Sequence, residues 1–326
     1  MPELPEVETV RRGLNNLTLN QKIQGGEVLL PRTLAYPPEI EAFWQGITGV
    51  AIAQWQRRGK YLLAQLRSDR PAGWLGVHLR MTGQLLWLER DTPLQKHTRI
   101  RLFFTGDGEL RFVDTRTFGK VWYCPPELEL ESVITGLQKL GPEPLAADFS
   151  VKYFTQQLKR HRSIKTLLLD QAVVAGIGNI YADEALFKSG ILPDTVAADL
   201  KPKQIAKLHQ AIIDVLQTSI DKGGTTFSDF LSLLGVSGNY GDVAFVYGRK
   251  DQPCKVCNTP IEKIKLSGRS SHFCPNCQQW AVNSQNKAED ALAQGQRAEG
   301  HWLRRSLYSC STPSAANGGA TNAFAF

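Results

Sequence analysis

Four cysteines near the carboxyl-terminal end limit the possible folds of this chain more than any other feature. Cys254 and Cys257 are separated by two residues, and Cys274 and Cys277 repeat that spacing after an interval of 16 residues. Two such pairs provide the closed tetrahedral shell of thiolates that zinc takes in structural sites. A closed shell leaves no position for a substrate, so we predict one structural Zn2+ that holds a fold. Two unrelated cysteine pairs are the alternative, and the matched spacings argue against it.

The residues between the two cysteine pairs predict a β-hairpin. This segment reads IEKIKLSGRSSHF, which is two strands joined by a turn at Ser267 and Gly268. Arg269 then lies at the tip of the hairpin. An arginine in that position can reach into a DNA groove, and a solvated turn arginine is equally compatible with the sequence.

The remainder of the chain is divided by changes in its hydrophobic pattern. Apolar residues recur at helical spacing in the first stretch, short β-rich runs punctuated by glycine follow, and helical spacing returns in the second half after a segment rich in proline and acid. The last residues, 306–326, carry no charge and are mostly small and polar, a composition typical of disorder. We therefore predict an α+β multidomain protein with an N-terminal antiparallel β-sandwich domain flanked by helices (2–130), a linker (131–149), a helical domain (150–248), a four-cysteine zinc finger (249–278) and a disordered tail (279–326).

The charge balance favours a polyanionic partner. Lys and Arg number 38 against 31 Asp and Glu, which gives a net charge of +7 and a pI of about 9.1. A basic protein gains binding free energy from a polyanion because neutralised phosphates release their counterions. The N-terminal residues lack the apolar core of an export signal, and no apolar run approaches the roughly 18 residues of a membrane span. We expect a cytoplasmic, nucleoid-associated protein without a membrane partner, whose thiols stay reduced.

Glycines before a predicted helix form a second candidate binding element. Gly176 and Gly178 precede Asn179, which is a favourable N-cap residue. Backbone N–H groups at such a helix start can approach a phosphate, and Lys165 and the basic run 159–162 would add positive charge. A dinucleotide fingerprint is excluded, because a helix precedes the first glycine and a tyrosine stands at the third glycine position. An ordinary corner between two helices is the alternative.

Several further segments resemble, in the same order, those of one enzyme family. They are MPELPEVETVRRGL (1–14), QRRGKYLL (56–63), DTRTFG (114–119), GPEPL (141–145), AGIGNIYADEALF (175–187), GGTT (223–226) and VYGR (246–249). In these segments the chain resembles bacterial formamidopyrimidine-DNA glycosylase of the Fpg/Nei family, over roughly residues 1–278. The sister branch of endonuclease VIII type usually begins PEGPE, so Leu4 favours the purine-repair branch. The resemblance implies a catalytic role for the sandwich domain and a helix-two-turns-helix motif in the helical domain.

The resemblance also implies a mechanism that begins at the chain terminus. Met1 would be removed, and the secondary amine of Pro2 would attack C1′ of the damaged nucleotide, displace the base and form a Schiff base. Glu3 would be the acid/base group for base departure and sugar-ring opening; without the resemblance it reads as a first-turn helix carboxylate. Lys60 and Arg269 would grip phosphates and assist elimination.

Duplex DNA containing oxidised bases or abasic sites is the partner that the resemblance implies, with the lesion extruded from the stack. The void would be filled by Met81, Arg116 and Phe118, although Met and Phe in a β domain are more often core residues. The residues that would contact the DNA are His97, Arg116, Arg160, Lys165 and Asn179. The family implies a monomer with no small-molecule cofactor.

The predicted function is a bifunctional DNA glycosylase and AP lyase of base excision repair. It would excise oxidised purines (8-oxoguanine and formamidopyrimidines) and cleave the strand by β,δ-elimination. Two alternatives stay open: an endonuclease VIII-like glycosylase for oxidised pyrimidines, and a non-catalytic protein that binds damaged DNA. Arg80 stands where the family often has Gly, and Thr117 where many members have Arg, which bears on lesion and opposite-base preference. The chain also continues for 49 residues past Cys277, where members usually end.

Overall fold

The computed structural model describes residues 1–225, 233 and 240–279. The helices are α1 (Leu4–Thr18), α2 (Ile40–Ile47), α3 (Leu130–Val133), α4 (Val151–Gln157), α5 (Ile164–Leu168), α6 (Asn179–Ser189), α7 (Pro202–Asp221) and α8 (Tyr240–Val243), with 3-10 turns at Pro31–Thr33, Leu137–Lys139 and Ala197–Asp199. The strands are β1 (Ile23–Val28), β2 (Leu34–Tyr36), β3 (Ala51–Arg58), β4 (Tyr61–Arg67), β5 (Pro71–His78), β6 (Gly83–Glu89), β7 (Thr98–Phe104), β8 (Gly108–Asp114), β9 (Lys120–Cys124), β10 (Glu262–Leu266) and β11 (Arg269–Phe273).

Strands β1 to β9 form two sheets that share one apolar core. One sheet has the strand order β2-β9-β5-β4-β3 and the other has the order β1-β7-β8-β6. Paired strands are antiparallel except for short β2, which runs parallel to β9. Side chains of both sheets fill the space between them, and Trp55, Leu75, Phe104 and Phe112 are completely or almost completely buried there. The predicted antiparallel sandwich is confirmed, with one parallel pair added.

Helix α1 connects the sandwich to the helical half of the chain. Its apolar residues Val7, Val10 and Leu14 are buried in the sandwich core, as the helical spacing predicts. The helix contacts strand β3 on the sandwich side and helix α7 on the other. The start of α1, and with it Pro2 and Glu3, therefore lies at the junction of the two halves.

Helices α4 to α7 pack around a second core. The most buried apolar side chains there include Leu167, Leu186, Leu208 and Leu216. Helix α7 is the longest helix among the described residues, and it packs along α6. Among the residues that the structure describes, no helix is both long and apolar enough to cross a membrane.

Strands β10 and β11 form the predicted hairpin. Leu266 pairs with Arg269, so Ser267 and Gly268 make the turn between the strands. Both turn residues have positive φ, 47° and 79°, a conformation that glycine adopts without cost. Arg269 is exposed at the tip, as predicted.

Two segments differ from the sequence prediction. Residues 40–47, within the part predicted to be β-rich, form helix α2, which buries Phe43 and Ile47 one helical turn apart. The predicted linker is packed against the sandwich domain, because Ile134 and its neighbours in α3 and the following turn form an apolar cluster with Tyr61. The predicted disordered tail lies outside the described residues apart from its first residue, and the domain limits stay predictions.

Candidate functional site

The carboxylate of Glu3 lies at the N-terminus of helix α6. Its two oxygens accept hydrogen bonds from the backbone N–H groups of Ile180 at 3.0 Å and Tyr181 at 3.4 Å. The first N–H groups of a helix have no partner within the helix, and the helix dipole favours an anion there. Gly178 allows the approach, because a Cβ on it would lie 2.2 Å from Glu3 Cδ. The anion site that the glycines predict is occupied by a carboxylate of the chain itself.

The proton affinity of Glu3 is unusual for a carboxyl group. Burial raises its pKa from 4.5 to about 7, the nearby Lys60 ammonium lowers it, and the Glu6 carboxylate raises it. The hydrogen bonds from α6 also lower it, but they do not cancel the loss of hydration. A carboxyl group with a pKa near neutrality can both donate and accept a proton at working pH, which is what a general acid/base needs.

A second buried carboxylate, that of Glu6, lies one helical turn from Glu3. Glu3 N donates to Glu6 Oε2 at 2.8 Å, while the Tyr181 hydroxyl and Thr225 N donate to Oε1 at 2.5 and 2.9 Å. Burial raises the pKa of Glu6, whereas these hydrogen bonds lower it. The bonds join the start of α1 to the helical half, and they fix the backbone that follows Pro2.

Lys60 reaches the same place from the turn between β3 and β4. Its Nζ donates to the carbonyl of Ile177 at 2.9 Å, in the 176–178 loop that precedes α6. Burial lowers the pKa of Lys60, Glu3 raises it, and Arg269 lowers it. The structure thus places Lys60 and Glu3 against one loop, although they belong to separate sequence segments.

The residues predicted to fill the void lie on two connections of the sandwich. Met81 is 38% exposed between β5 and β6, and Phe118 is 51% exposed between β8 and β9. The Arg116 guanidinium lies over the Phe118 ring, 5.0 Å from its centroid. Exposure on this scale excludes the alternative that Met81 and Phe118 are core residues. Both are available as apolar wedges.

Asp114 holds these two connections together. Thr82 Oγ1 donates to Asp114 Oδ1 at 2.5 Å, and Gly119 N donates to Oδ2 at 2.8 Å. Arg116 N donates to Thr82 Oγ1 at 3.0 Å. Asp114 is 1% exposed, so the wedge residues stand on a buried hydrogen-bonded base.

The two departures from the family pattern are also conformationally unusual. Arg80 and Thr117 have φ values of 55° and 56°, in the left-handed region that residues other than glycine rarely adopt. Arg80 N donates to His78 Nδ1 at 3.0 Å, and Arg32 donates to Thr117 Oγ1 at 2.6 Å. Each strained residue therefore has a hydrogen bond that holds it, directly beside a wedge residue.

The residues predicted to contact DNA differ in their exposure. Arg160 is exposed and lies 4.0 Å from an Asp170 carboxylate oxygen. His97 is half-buried, with its Nδ1 at 3.2 Å from the Arg99 guanidinium. Both side chains are at least partly exposed to solvent, and their DNA contacts stay predictions.

Lys165 and Asn179 have structural partners within the chain. Lys165 Nζ lies 2.6 Å from Asp183 Oδ1 and donates to the carbonyl of Ser270 at 2.5 Å. Lys165 is 1% exposed, so its ammonium joins α5 to α6 and the hairpin and is not presented at the surface. The N-cap prediction for Asn179 is wrong, because Gly178 is the N-cap residue and Glu3 binds the free N–H groups. Asn179 Nδ2 donates to Ser270 Oγ at 3.3 Å.

The four predicted zinc ligands converge at the base of the hairpin. Their Sγ atoms all lie within 4.8 Å of one another, and three pairs are separated by 3.4 to 3.8 Å. Tetrahedral Zn–S bonds of about 2.3 Å require S–S separations of about 3.8 Å. Cys254, Cys257, Cys274 and Cys277 thus form a site for one structural Zn2+, as predicted. The ion would supply stability to the finger and leave no open position for chemistry.

Known families match most of the chain. The N-terminal domain of formamidopyrimidine-DNA glycosylase matches residues 1–121, its H2TH domain matches 140–230, and a zinc finger found in FPG and IleRS matches 251–279. The formamidopyrimidine-DNA glycosylase of Nostoc punctiforme is 65% identical over 279 residues, which cover 85% of this chain and 96% of that protein. The one from Trichodesmium erythraeum is 62% identical, over 85% of this chain and all of that protein.

The chain belongs to the formamidopyrimidine-DNA glycosylase family. Solved structures of the family share its fold. The Lactococcus lactis Fpg in complex with DNA containing an abasic site has a TM-score of 0.78 at 38% identity, covering 85% of this chain and 99% of that one. The same enzyme with DNA containing N7-benzyl-Fapy-dG has a TM-score of 0.77 at 39% identity, covering 85% and 100%.

Sequence reasoning missed the roles of three buried carboxylates around this site. Glu6 is three residues after Glu3, the spacing at which a side chain reaches back to the backbone at a helix start. Asp183 pairs with Lys165, and Glu184 accepts hydrogen bonds from the backbone that enters the zinc finger. Acidic residues inside the apolar pattern of α6 were the signal that could have found the last two.

Proposed function

We propose that the chain is a DNA glycosylase with AP lyase activity that removes oxidised purines, 8-oxoguanine and formamidopyrimidines, from duplex DNA. Family membership supports this activity. The observation that carries it is Glu3, a buried acid with a pKa of about 7 in the residue next to Pro2, facing the N-terminus of α6. We further propose that it acts as a monomer in the cytoplasm, on nucleoid DNA.

In the proposed reaction, loss of Met1 frees the secondary amine of Pro2. The unprotonated nitrogen attacks C1′ and the bond from C1′ to the base breaks, with Glu3 supplying the proton that the departing base needs. The nitrogen bonded to C1′ then gives its proton to the Glu3 carboxylate, which restores the acid. The C1′–O4′ bond opens as Glu3 passes that proton to O4′ and the nitrogen lone pair forms the iminium. Glu3 is suited to these proton transfers, because its pKa lies near neutrality.

Strand cleavage follows from the iminium. In the β-elimination, loss of a C2′ proton breaks the C3′–O bond and expels the 3′ phosphate. In the δ-elimination, loss of a C4′ proton breaks the C5′–O bond and expels the 5′ phosphate. Arg269 lowers the pKa of Lys60, which supports a role for both cations in stabilising phosphates on either side of one sugar.

The exposed wedge residues suit the DNA side of this proposal. A base must leave the stack before an amine can reach C1′. Met81 and Phe118 are exposed at the ends of two connections, and Arg116 packs on the Phe118 ring. We propose that these three side chains fill the space that the extruded nucleotide leaves.

Borohydride trapping tests the proposal. The wild-type chain, with removal of Met1 verified by mass, is incubated with duplexes containing 8-oxoguanine or an abasic site and then reduced. We expect a covalent adduct of protein and DNA. Pro2→Gly is the matched control, because glycine keeps the terminus free but changes the secondary amine to a primary one, and its adduct yield should fall sharply. Tight lesion binding without any wild-type adduct would refute the enzyme and favour a damaged-DNA-binding protein.

A parallel assay separates the two catalytic alternatives. Excision rates are compared on duplexes containing 8-oxoguanine and thymine glycol, under single-turnover conditions. We expect faster excision of 8-oxoguanine. A clear preference for thymine glycol would instead favour an enzyme for oxidised pyrimidines.

A further inference from the structure

The 176–178 loop touches three parts of the proposed active site. The Gly176 carbonyl accepts a hydrogen bond from Leu4 N at 3.0 Å, and the Ile177 carbonyl accepts one from Lys60 Nζ at 2.9 Å. Gly178 leaves the space that the Glu3 carboxylate fills. The position of this backbone therefore decides where the ammonium and the carboxylate lie.

The side chain of Gln171 fixes that backbone. Its Oε1 accepts a hydrogen bond from Gly176 N at 2.9 Å. Its Nε2 donates to the Ile177 carbonyl at 2.9 Å and to the Leu169 carbonyl at 3.1 Å. The amide thus uses its acceptor and both N–H donors. Exchanging its oxygen and nitrogen positions would leave both the Gly176 N–H and the Ile177 carbonyl without this partner.

The Ile177 carbonyl consequently has two donors, Gln171 and Lys60. Ile177 is 1% exposed, and a buried carbonyl that loses every partner is costly. If Lys60 turns toward a DNA phosphate, the carbonyl keeps its hydrogen bond from Gln171. The ammonium can therefore change partner without leaving a buried acceptor unsatisfied.

We propose that Gln171 is a positioning residue for the reaction: it fixes the 176–178 backbone and lets the Lys60 ammonium exchange the Ile177 carbonyl for a phosphate of the substrate. This role rests on the proposed function, because it requires that Lys60 engages DNA. Gln171 itself touches no reacting atom.

Two variants separate the two halves of the role. Gln171→Met keeps the length of the side chain and removes all of its hydrogen bonds, so the loop loses its support and release of Lys60 leaves the Ile177 carbonyl unpaired. Strand cleavage should slow by about tenfold, the effect of one unsatisfied buried group. Gln171→Glu keeps an acceptor for Gly176 N, also loses both N–H donors, and brings a carboxylate toward Lys60.

The charge of that carboxylate provides a readout at Lys60 itself, because a general loss of stability would not move the pH dependence of cleavage. In the wild type, Lys60 is faced by the acids Glu3 and Glu6, which raise its pKa, and by Arg269, which lowers it. His78 also lies near, and its pKa of about 3 keeps it neutral. The rate of cleavage should fall at alkaline pH as Lys60 loses its proton, and this part of the pH–rate profile is called the Lys60 limb. An added carboxylate stabilises the ammonium, so in Gln171→Glu the Lys60 limb should move to higher pH.

The experiment measures single-turnover strand cleavage and borohydride trapping from about pH 6 to 10 for the wild-type chain, both variants and Gln138→Met. Gln138 is a matched control, because it also donates to a backbone carbonyl, that of Glu131 at 2.9 Å, but on the surface of the linker. We expect the control to match the wild type, Gln171→Met to cleave about tenfold more slowly, and Gln171→Glu to show the shifted limb. A wild-type adduct with an unshifted limb and undiminished Gln171→Met cleavage would overturn the role of Gln171 alone. Absence of a wild-type adduct would overturn the proposed function and this role with it.

Discussion

The charge state of Glu3 gives the sharpest prediction. Its pKa is about 7 in the folded chain and 4.5 in the absence of burial. Below pH 4.5 the folded and unfolded chains both bind the proton. As the pH rises toward 7 the unfolded chain releases the proton while the folded chain retains it, so the contribution of Glu3 to stability falls. Above pH 7 the folded chain carries the full cost of a buried carboxylate.

The magnitude of this cost follows from the two pKa values. Each pH unit between them corresponds to about 1.4 kcal/mol, so the whole interval from 4.5 to about 7 corresponds to roughly 3 kcal/mol. Glu3 is 2% exposed, so solvent screening reduces the figure little. Glu3→Gln keeps the shape of the side chain and is neutral at every pH. The variant should therefore gain stability relative to the wild type as the pH rises, by up to about 3 kcal/mol.

The assay is denaturant unfolding of both proteins at a series of pH values from about 4.5 to 8.5. Taking the difference between wild type and Glu3→Gln removes the titration of groups distant from residue 3, and what remains is the titration of Glu3 with its coupled neighbours Lys60 and Glu6. Met1 is retained in both, by expression with methionine aminopeptidase inhibited, because a charged amine on Pro2 would add a cation beside Glu3. A stability difference that does not change over this pH range, or that changes only near pH 4.5, would refute the reasoning. Carbon-13 spectra of labelled glutamate provide a second check, since the resonance missing from Glu3→Gln should titrate near pH 7.

Three further predictions concern the parts around the site. Removing zinc with a chelator, or replacing Cys274 with Ser, should unfold the hairpin and abolish specific DNA binding. Hydrogen exchange would show the unfolding as a loss of amide protection in the hairpin, and a protected hairpin without metal would contradict this. Lys165→Met leaves the buried Asp183 carboxylate without its cation and should lower the free energy of unfolding by about 3–5 kcal/mol, with part of the loss recovered when Asp183→Asn is added. Met81→Ala and Phe118→Ala should change the free energy of unfolding by about 0.5 kcal/mol or less, because both side chains are exposed. Both should nevertheless slow excision at least tenfold, and equal losses of stability and rate would speak against the wedge role.

The sequence by itself determined the parts whose signals are local. Spacing predicted the zinc ligands and the hairpin with Arg269 at its tip, because metal coordination and turn chemistry involve residues close together in the chain. The resemblance pointed to Pro2 and Glu3, and the hydrophobic period predicted helix α1. The short helix α2 was missed, because eight residues carry too little periodic signal against a β-rich background.

Only the tertiary structure decided how the halves of the chain share one site. Glu3 binds the N-terminus of α6, whose first hydrogen-bonded residue lies 177 positions further along the chain, and no local pattern relates the two. The sequence left open whether the glycines before α6 bind a phosphate, with Lys165 adding positive charge, or form an ordinary corner between helices. In the folded chain the Glu3 carboxylate binds the N-terminus of α6, and Lys165 pairs with Asp183. A buried charge pairs with an opposite charge that the fold places nearby, because desolvation makes an unpaired buried charge costly. Spacing along the sequence does not report that proximity.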